Sequence, residues 1–309
     1  MSTSPEVSVV MSVYNGAGHL AETLDSVLGQ KDCDFEFIVI DDGSTDASAQ
    51  ILDEFAARDS RLCVVHQENT GLTRALIRGC ALARGEFIAR QDAGDVSLPG
   101  RLSAQLAFIR SKPRAVMVAG AVQFCGPRSE PLHTQVVHGE ELQTGLSQST
   151  VGRVRGPPHH GATMFRRSTY LAVGGYRPSF QVAQDLDLWL RLAETGSCLG
   201  MADICYVARL ELASISSRRR KEQFDSASLA LQCRKLRAAG QCEAGLLAAA
   251  TSNGSPGIPI GPGERARFSY FIARCLATSD PTAARLYYSR ALRDNPLHLK
   301  ALFHWIFAR

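Results

Sequence analysis

The stretch FEFIVIDDGSTDASAQILDEFAAR, residues 35–58, decides the fold. Its first part, FEFIVI, is an apolar run of buried-strand length. Asp41, Asp42 and Gly43 follow as a tight acidic turn. The remainder puts Ile51, Leu52 and Phe55 on one helical face, with Ser44, Thr45 or Asp46 available as a cap. Strand, acidic turn and helix make one unit of an alternating chain. The same unit recurs on either side. Val7 to Val13 reads as a strand, and HLAETLDSVLGQ follows with Leu20, Leu24, Val27 and Leu28 on one face. LCVV (62–65) is a third strand, GLTRALIRGCALARG a third helix ending near Gly85, and EFIAR (86–90) a fourth strand. The order βαβαβαβ predicts a parallel sheet with helices on both faces. Ligands of such sheets sit beyond the carboxyl ends of the strands, so the loops after strands one, two and four are the places to look.

Past residue 100 the rhythm changes. PGRLSAQLAFIRS reads as a helix, AVMVAGAVQFC (115–125) as a strand, and a looser stretch that includes basic VGRVRGPPHH runs to about residue 158. ATMFRR is a strand, STYLAVGGY a short helix and turn, DLDLWLRLAETG a helix and ICYVARL a strand. A charge run, SSRRRKEQ, leads into a helical tail that the Gly/Pro-rich segment 252–263 divides. The expected organisation is a domain over 1–217, with halves at about 1–112 and 113–217, and a helical extension over 218–309.

The totals exclude several classes. The chain has 309 residues, 45% apolar and 21% charged, as a globular protein does. A net charge of +4 gives no case for nucleic acid. Nine cysteines show no CxxC or paired metal spacing and read as reduced structural thiols. No apolar run reaches the ~18 residues of a membrane span, and MSTSPEVSVV lacks the pattern of a signal peptide, so a cytoplasmic protein is expected.

Five places carry chemistry. SVYNGAGHL, after the first strand, is a Gly-containing turn feeding a helix, where backbone N–H groups can meet phosphate. It matches neither G-x-G-x-x-G nor a P-loop, and an ordinary turn explains its glycines equally well. Tyr14 adds an aromatic face that could meet a nucleobase. Asp41 and Asp42 could accept hydrogen bonds from a base or ribose, although one aspartate could simply cap the next helix. RQDAGDVSLP (90–99) carries Asp92 and Asp95, which with substrate phosphates could hold Mg²⁺ or Mn²⁺. Asp95 or Ser97 could instead cap a helix with Pro99 in its first turn. Asp185 opens a helix and could be a cap or a general base; Asp187 points elsewhere. His159 and His160 point different ways in extended chain, so they do not share a metal, and His160 is assigned to the substrate pocket.

Six segments in order, VSVVMSVYNG, FEFIVIDDGSTD, NTGLTRALIRG, GEFIARQDAGDVSLPGRL, HGATMFRRSTYLAVGGYR and QDLDLWLRL, closely resemble the family 2 glycosyltransferases over about residues 6–216. The resemblance implies a GT-A fold, a Rossmann-like three-layer α/β sandwich, here with a C-terminal helical extension. It implies inverting transfer of one sugar from a nucleoside-diphosphate sugar, most often a UDP-sugar, to a glycan or lipid-linked acceptor in cell-surface polysaccharide, lipopolysaccharide or glycolipid synthesis. Tyr14, Asp41 and Asp42 take the nucleoside, Asp92 the donor and a divalent cation, and Asp185 the role of base. Arg74 and the run Arg218-Arg219-Arg220 could add positive charge. Gly94 stands where the usual metal-ligating aspartate would be, and Asp95 matches an extra aspartate that members often carry. Ser12 replaces a common proline, and Leu76-Ile77 a common Arg-Asn pair. No Gln-x-x-Arg-Trp follows, which favours single transfer over polymerisation. The altered Asp-x-Asp keeps a non-catalytic nucleotide-sugar-binding module as the alternative. The acceptor is expected along the loop Arg153 to His160. In the tail, FSYFIARCLA and LKALFHWIFAR mix aromatics with arginines, as interfacial helices do; a helical bundle packed on the catalytic domain or against a second subunit is the favoured use of them. Peripheral contact with the inner face of the membrane is the alternative expectation.

Overall fold

The computed structural model describes residues 4–212, 220–250 and 261–307. Alternation along the strands builds the fold. In β1 (Val7–Val13), Val7, Val9, Met11 and Val13 face one core and Val10 the other. In β2 (Phe35–Asp41), Phe35, Phe37 and Val39 face the first core, Ile38 and Ile40 the second. Both faces of each strand are apolar because helices cover both. The first core takes Leu20, Leu24 and Val27 of α1 (Ala17–Leu28), Leu52 of α2 (Ser48–Ala56) and Leu102, Leu106 and Ile109 of α4 (Arg101–Arg110). The second takes Ala75, Leu76 and Cys80 of α3 (Leu72–Leu82) and Leu188, Leu190 and Leu192 of α7 (Gln184–Ala193).

The sheet runs in the order β3 (Leu62–His66), β2, β1, β4 (Phe87–Arg90), β8 (Thr163–Arg166), β6 (Ala115–Cys125), β9 (Ser197–Arg209), β5 (Val96–Ser97), with β7 (Pro131–Gln135) paired to β6. Strands β3, β2, β1 and β4 are parallel, as the βα alternation predicts. From β8 onward it turns antiparallel: β8 pairs with β4 and with β6, and β5 with β9. β5, β7 and the short α5 (Glu141–Leu146) carry too little periodicity to be read from sequence. α6 (Arg167–Ala172) is the short helix after β8.

The chain divides into two units. The first is Met1–Val122, Gln135–Ala208 and Lys221–Gly254; the second is Gln123–Thr134, Arg209–Arg220 and Ser255–Arg309. This differs from the expected boundary near 217. α8 (Arg220–Ala238) and α9 (Ala244–Ala250) group with the first unit. Leu231 joins the second core, Arg234 donates to the Leu146 carbonyl at 2.7 Å, and Arg237 pairs with Glu194 at 2.7 Å. The second unit contains a helical triplet, α10 (Pro262–Leu276), α11 (Pro281–Asp294) and α12 (Leu299–Phe307), around Ile272, Leu276, Tyr287 and Tyr288, with Leu132 and Leu210 packed against it. The dividing segment expected at 252–263 lies outside the described residues up to 260.

Candidate active site

The loops at the carboxyl ends of β1 and β2 are tied together. Asn15, at φ +53°, donates its N–H to Ser44 Oγ (3.0 Å) and accepts the Thr45 N–H on its side-chain oxygen (2.7 Å). The Gly16 N–H reaches Ser48 Oγ (3.0 Å) and the Ala17 N–H reaches Asp46 Oδ2 (3.1 Å). Of the three expected caps, Asp46 serves: its Oδ1 accepts the N–H of Ser48, the first residue of α2 (2.9 Å), while Ser44 and Thr45 do not cap the helix. Their polar groups link two loops that are 30 residues apart in sequence, which no local pattern reveals. Tyr14, on this doubly anchored turn, is 54% exposed and presents its ring at the sheet edge.

Asp41 and Asp42 are both buried, and the structure gives them different work. Asp42 accepts from Gln67 Nε2 (2.6 Å), the Thr70 N–H (2.9 Å) and hydroxyl (3.1 Å), and the Gly71 N–H (2.8 Å). A carboxylate offers about four lone-pair positions, so Asp42 is fully engaged in fixing the loop into α3. Asp41 accepts the Ser44 N–H (3.1 Å) and lies 2.8 Å from His66 Nδ1. The other nitrogen of His66 is 3.0 Å from Asp53. Asp41, then Asp53, raises the pKa of this imidazole above the ordinary value. Arg74, exposed on the first turn of α3, stands beyond these residues.

The third group forms where β4 ends. Arg90 is fully buried, an expensive place for a charge unless it is paired. It donates to the Val10 carbonyl, to His160 Nε2 (3.3 Å) and to Asp92 Oδ1 (2.7 Å). Burial works to raise the carboxyl of Asp92, but Arg90, then His160 and His159, overcome it and hold the group below the usual value. Asp92 Oδ2 lies 3.7 Å from His159 Nδ1, and Asp95 Oδ2 lies 3.5 Å from the same nitrogen. One ligand atom from each of the three residues falls within 4.8 Å of the others. Because Nδ1 also accepts the Gly161 N–H (3.2 Å), it is the unprotonated nitrogen in this arrangement. Two carboxylates and an imidazole lone pair converging on one region suit a divalent cation.

Gly94 explains how Asp95 gets there. Its φ is +93°, which costs a side-chain-bearing residue strain, and its N–H is held by Thr23 Oγ1 (3.0 Å). The usual ligand position is thus a backbone pivot. The Asp95 carbonyl is fastened by Thr23 (2.9 Å) and by buried Gln91 (3.1 Å). Asp95 does not cap α4, because that helix begins at Arg101 after Gly100 and leaves Pro99 outside.

The histidine assignment needs correcting. His160, expected to touch substrate, is buried, with Nε2 between Arg90 and the Tyr176 hydroxyl (2.6 Å). Burial, then Arg90, pushes its pKa down to about 3, so it is a neutral element of the wall. His159 is the residue at the carboxylates, its ring stacked on Tyr206 at 5.6 Å. The Tyr206 hydroxyl accepts the Asp92 N–H (3.0 Å), and Arg101 lies over the tyrosine ring (4.8 Å). Arg101, also buried, binds the carbonyls of Arg90 (2.7 Å) and Gly161 (2.6 Å) and so clamps the Asp92 loop to the His159 loop.

Asp185 is the second residue of α7, and its Oδ1 accepts the Leu186 N–H (2.8 Å). The preceding segment is pinned where the Thr73 hydroxyl meets the Phe180 carbonyl (2.7 Å). Burial raises the pKa of Asp185, opposed by the Leu186 N–H and increased by the charge of Asp92; His159 acts on it in the opposite sense. Asp187 points elsewhere, paired with Arg191 at 2.5 Å. Arg218 and Arg219, and the side chain of Arg220, lie outside the described residues. An open cleft of about 720 Å³ is lined by His138, Glu141, Arg153 and Arg155 among others.

Comparison with known proteins supplies the context. Residues 8–173 match the family model described as glycosyl transferase family 2. EpsE of Bacillus subtilis (strain 168), named as a glycosyltransferase, is 32% identical over 243 residues, 77% of this chain and 85% of EpsE. TuaG of the same organism, named for teichuronic acid biosynthesis, is 29% identical over 70% of this chain and 84% of its own. Among solved structures, S. aureus TarS 1-349 in complex with UDP aligns with a TM-score of 0.57 at 16% identity, over 98% of this chain and 92% of that one. The mannosyltransferase PcManGT from Pyrobaculum calidifontis, in complex with GDP-Man and Mn²⁺, aligns at 0.53 and 18% identity, over 99% and 81%. These likenesses establish the GT-A fold, with the parallel-then-antiparallel sheet described above.

Proposed function

We propose, for a chain that belongs to glycosyl transferase family 2, the transfer of one sugar from a nucleoside-diphosphate sugar to a hydroxyl of a glycan or lipid-linked glycan, with inversion, in surface polysaccharide synthesis. The observation that carries this reading is the placement of Asp185, its pKa raised, within the field of the Asp92–Asp95–His159 cluster. It supports reading Asp185 as the proton acceptor for a donor whose diphosphate the cluster would hold.

Tyr14 and Asp41 offer the nucleoside an aromatic face and a carboxylate with acceptor capacity left. Asp42 acts by holding the loop. Asp92, Asp95 and His159 would hold a divalent cation, whose chemistry is to supply positive charge to the departing diphosphate. Asp185 accepts the proton of the acceptor hydroxyl as that oxygen bonds to the anomeric carbon. The bond from that carbon to the diphosphate oxygen breaks on the opposite face, and its electron pair leaves with the nucleoside diphosphate. A base so placed contributes roughly 10²–10⁴ in rate. The bound nucleotide of TarS favours a UDP-sugar, and the names of TuaG and of the Myxococcus xanthus O-antigen biosynthesis protein RfbC favour an envelope glycan as acceptor.

The test is product analysis. NMR of the product formed from an α-linked donor should show a β linkage. A retained linkage would overturn the single displacement, and binding of every nucleoside diphosphate without any transfer would favour the binding-module alternative.

A further inference from the structure

The two aromatic-basic segments of the tail have different surroundings. FSYFIARCLA lies within α10, whose Ile272, Ala273 and Leu276 are buried in the triplet. The described part of LKALFHWIFAR, residues 299–307, forms α12, and there Leu299, Leu302, Phe303 and Ile306 are 74, 39, 58 and 55% exposed. Their spacing of 0, 3, 4 and 7 residues makes one continuous stripe. The opposite side is the docked one: Ala301 is fully buried, and Trp305 donates to Ser289 Oγ (2.9 Å) beneath Arg285 (5.2 Å). Leu297, in the turn just before the helix, is 83% exposed. Four large apolar side chains facing water on a nine-residue helix call for an occupant.

Charge chooses between occupants. Residues 261–307 hold seven Lys and Arg against three Asp and Glu, a surplus equal to the +4 of the whole chain. Arg265 is paired with Asp294, and Arg267 approaches Glu264. Arg274, Arg285, Arg290, Arg293 and Lys300 form no ion pair among the described residues. A second copy on this face would bring two such surpluses together across an isologous contact. An anionic lipid surface accepts both features, since apolar side chains enter the acyl boundary and basic ones stay at the headgroups.

We infer that α12 is a membrane-surface helix that lies along anionic lipid with Leu299, Leu302, Phe303 and Ile306 inserted. The experiment is co-sedimentation of the full chain with vesicles of phosphatidylcholine alone or with phosphatidylglycerol, at low and high salt. Phe303→Glu and Leu299→Glu are made in parallel; both positions are exposed, so the thermal melt should not move. The expected result is binding to the anionic vesicles only, weakened by salt and reduced about tenfold or more by either variant. Absence of binding to anionic vesicles would overturn the inference. Binding that both variants retain would assign it to another surface and overturn it too. Concentration-dependent dimerisation in analytical ultracentrifugation that the variants abolish would make a second copy the occupant.

Discussion

Replacing Asp185 by asparagine separates the chemistry from the scaffold. The side chain keeps its shape, and an amide oxygen can still accept the Leu186 N–H that Asp185 accepts at 2.8 Å. What disappears is the ability to take a proton. If Asp185 is the base, kcat falls about 10²–10⁴-fold, or roughly 3–5 kcal/mol of transition-state stabilisation. A base that meets the acceptor and not the nucleotide leaves donor affinity unchanged when it is removed. Stability moves the other way. The folded pKa of Asp185 is raised, chiefly by burial. Its favourable contribution is therefore complete below the ordinary carboxylate pKa and is lost as pH rises through the folded value. At neutral pH the wild type carries a desolvated charge that the variant lacks. Thermal melts should show the variant equal to or above the wild type at pH 8, with the gap closing on acidification. Single-turnover rates of the wild type should fall as pH drops through that raised pKa, while the residual rate of the variant stays flat. Normal turnover by the variant would refute the assignment. Lost turnover together with a lowered melting temperature would make Asp185 a structural residue.

Three further outcomes test how the loops are built. Gly94→Asp restores the usual acidic position on a backbone at φ +93°; with no atom within 4 Å of the added Cβ, the penalty is conformational, about 1–3 kcal/mol in urea unfolding, and Mn²⁺ binding does not tighten. Asp42→Ala strands the donors of Gln67, Thr70 and Gly71 and should lower stability by about 1–3 kcal/mol, read as a shift in urea midpoint at constant slope. His66→Ala removes an imidazole whose pKa Asp41 and Asp53 raise. Its contribution is present in full below the unfolded value of 6.5 and lost as pH rises through the folded one, so wild type and variant should differ in melting temperature at pH 6 and converge by pH 9.

Periodicity in β1, β2, α1 and α3 was enough to read the parallel half of the sheet, because both faces of those strands are packed. The carboxylates were legible too, since Asp92, Asp95 and Asp185 follow or open elements that could be read. What stayed hidden depends on tertiary approach. Nothing local distinguishes His159 from His160; the choice is made by Arg90 and Tyr176, which claim His160 from inside. Arg90 and Arg101 look like surface charge in sequence, yet they are among the most buried side chains and fix the loops of the site. Ser44 looks like a cap and Asp46 is one, yet their partners on the β1–α1 loop appear only once two loops meet. β5 is two residues long and exists because β9 runs beside it.

The central claim is that Asp95 and His159 complete, with Asp92, a cation site whose usual second aspartate is the pivot Gly94. Calorimetric titration of Mn²⁺ into the UDP-saturated protein tests it most directly, with Asp95→Asn and His159→Ala beside the wild type. The account predicts that each variant binds Mn²⁺ about tenfold or more weakly, with UDP affinity in the absence of metal unchanged. Equal Mn²⁺ affinity in all three proteins would contradict it.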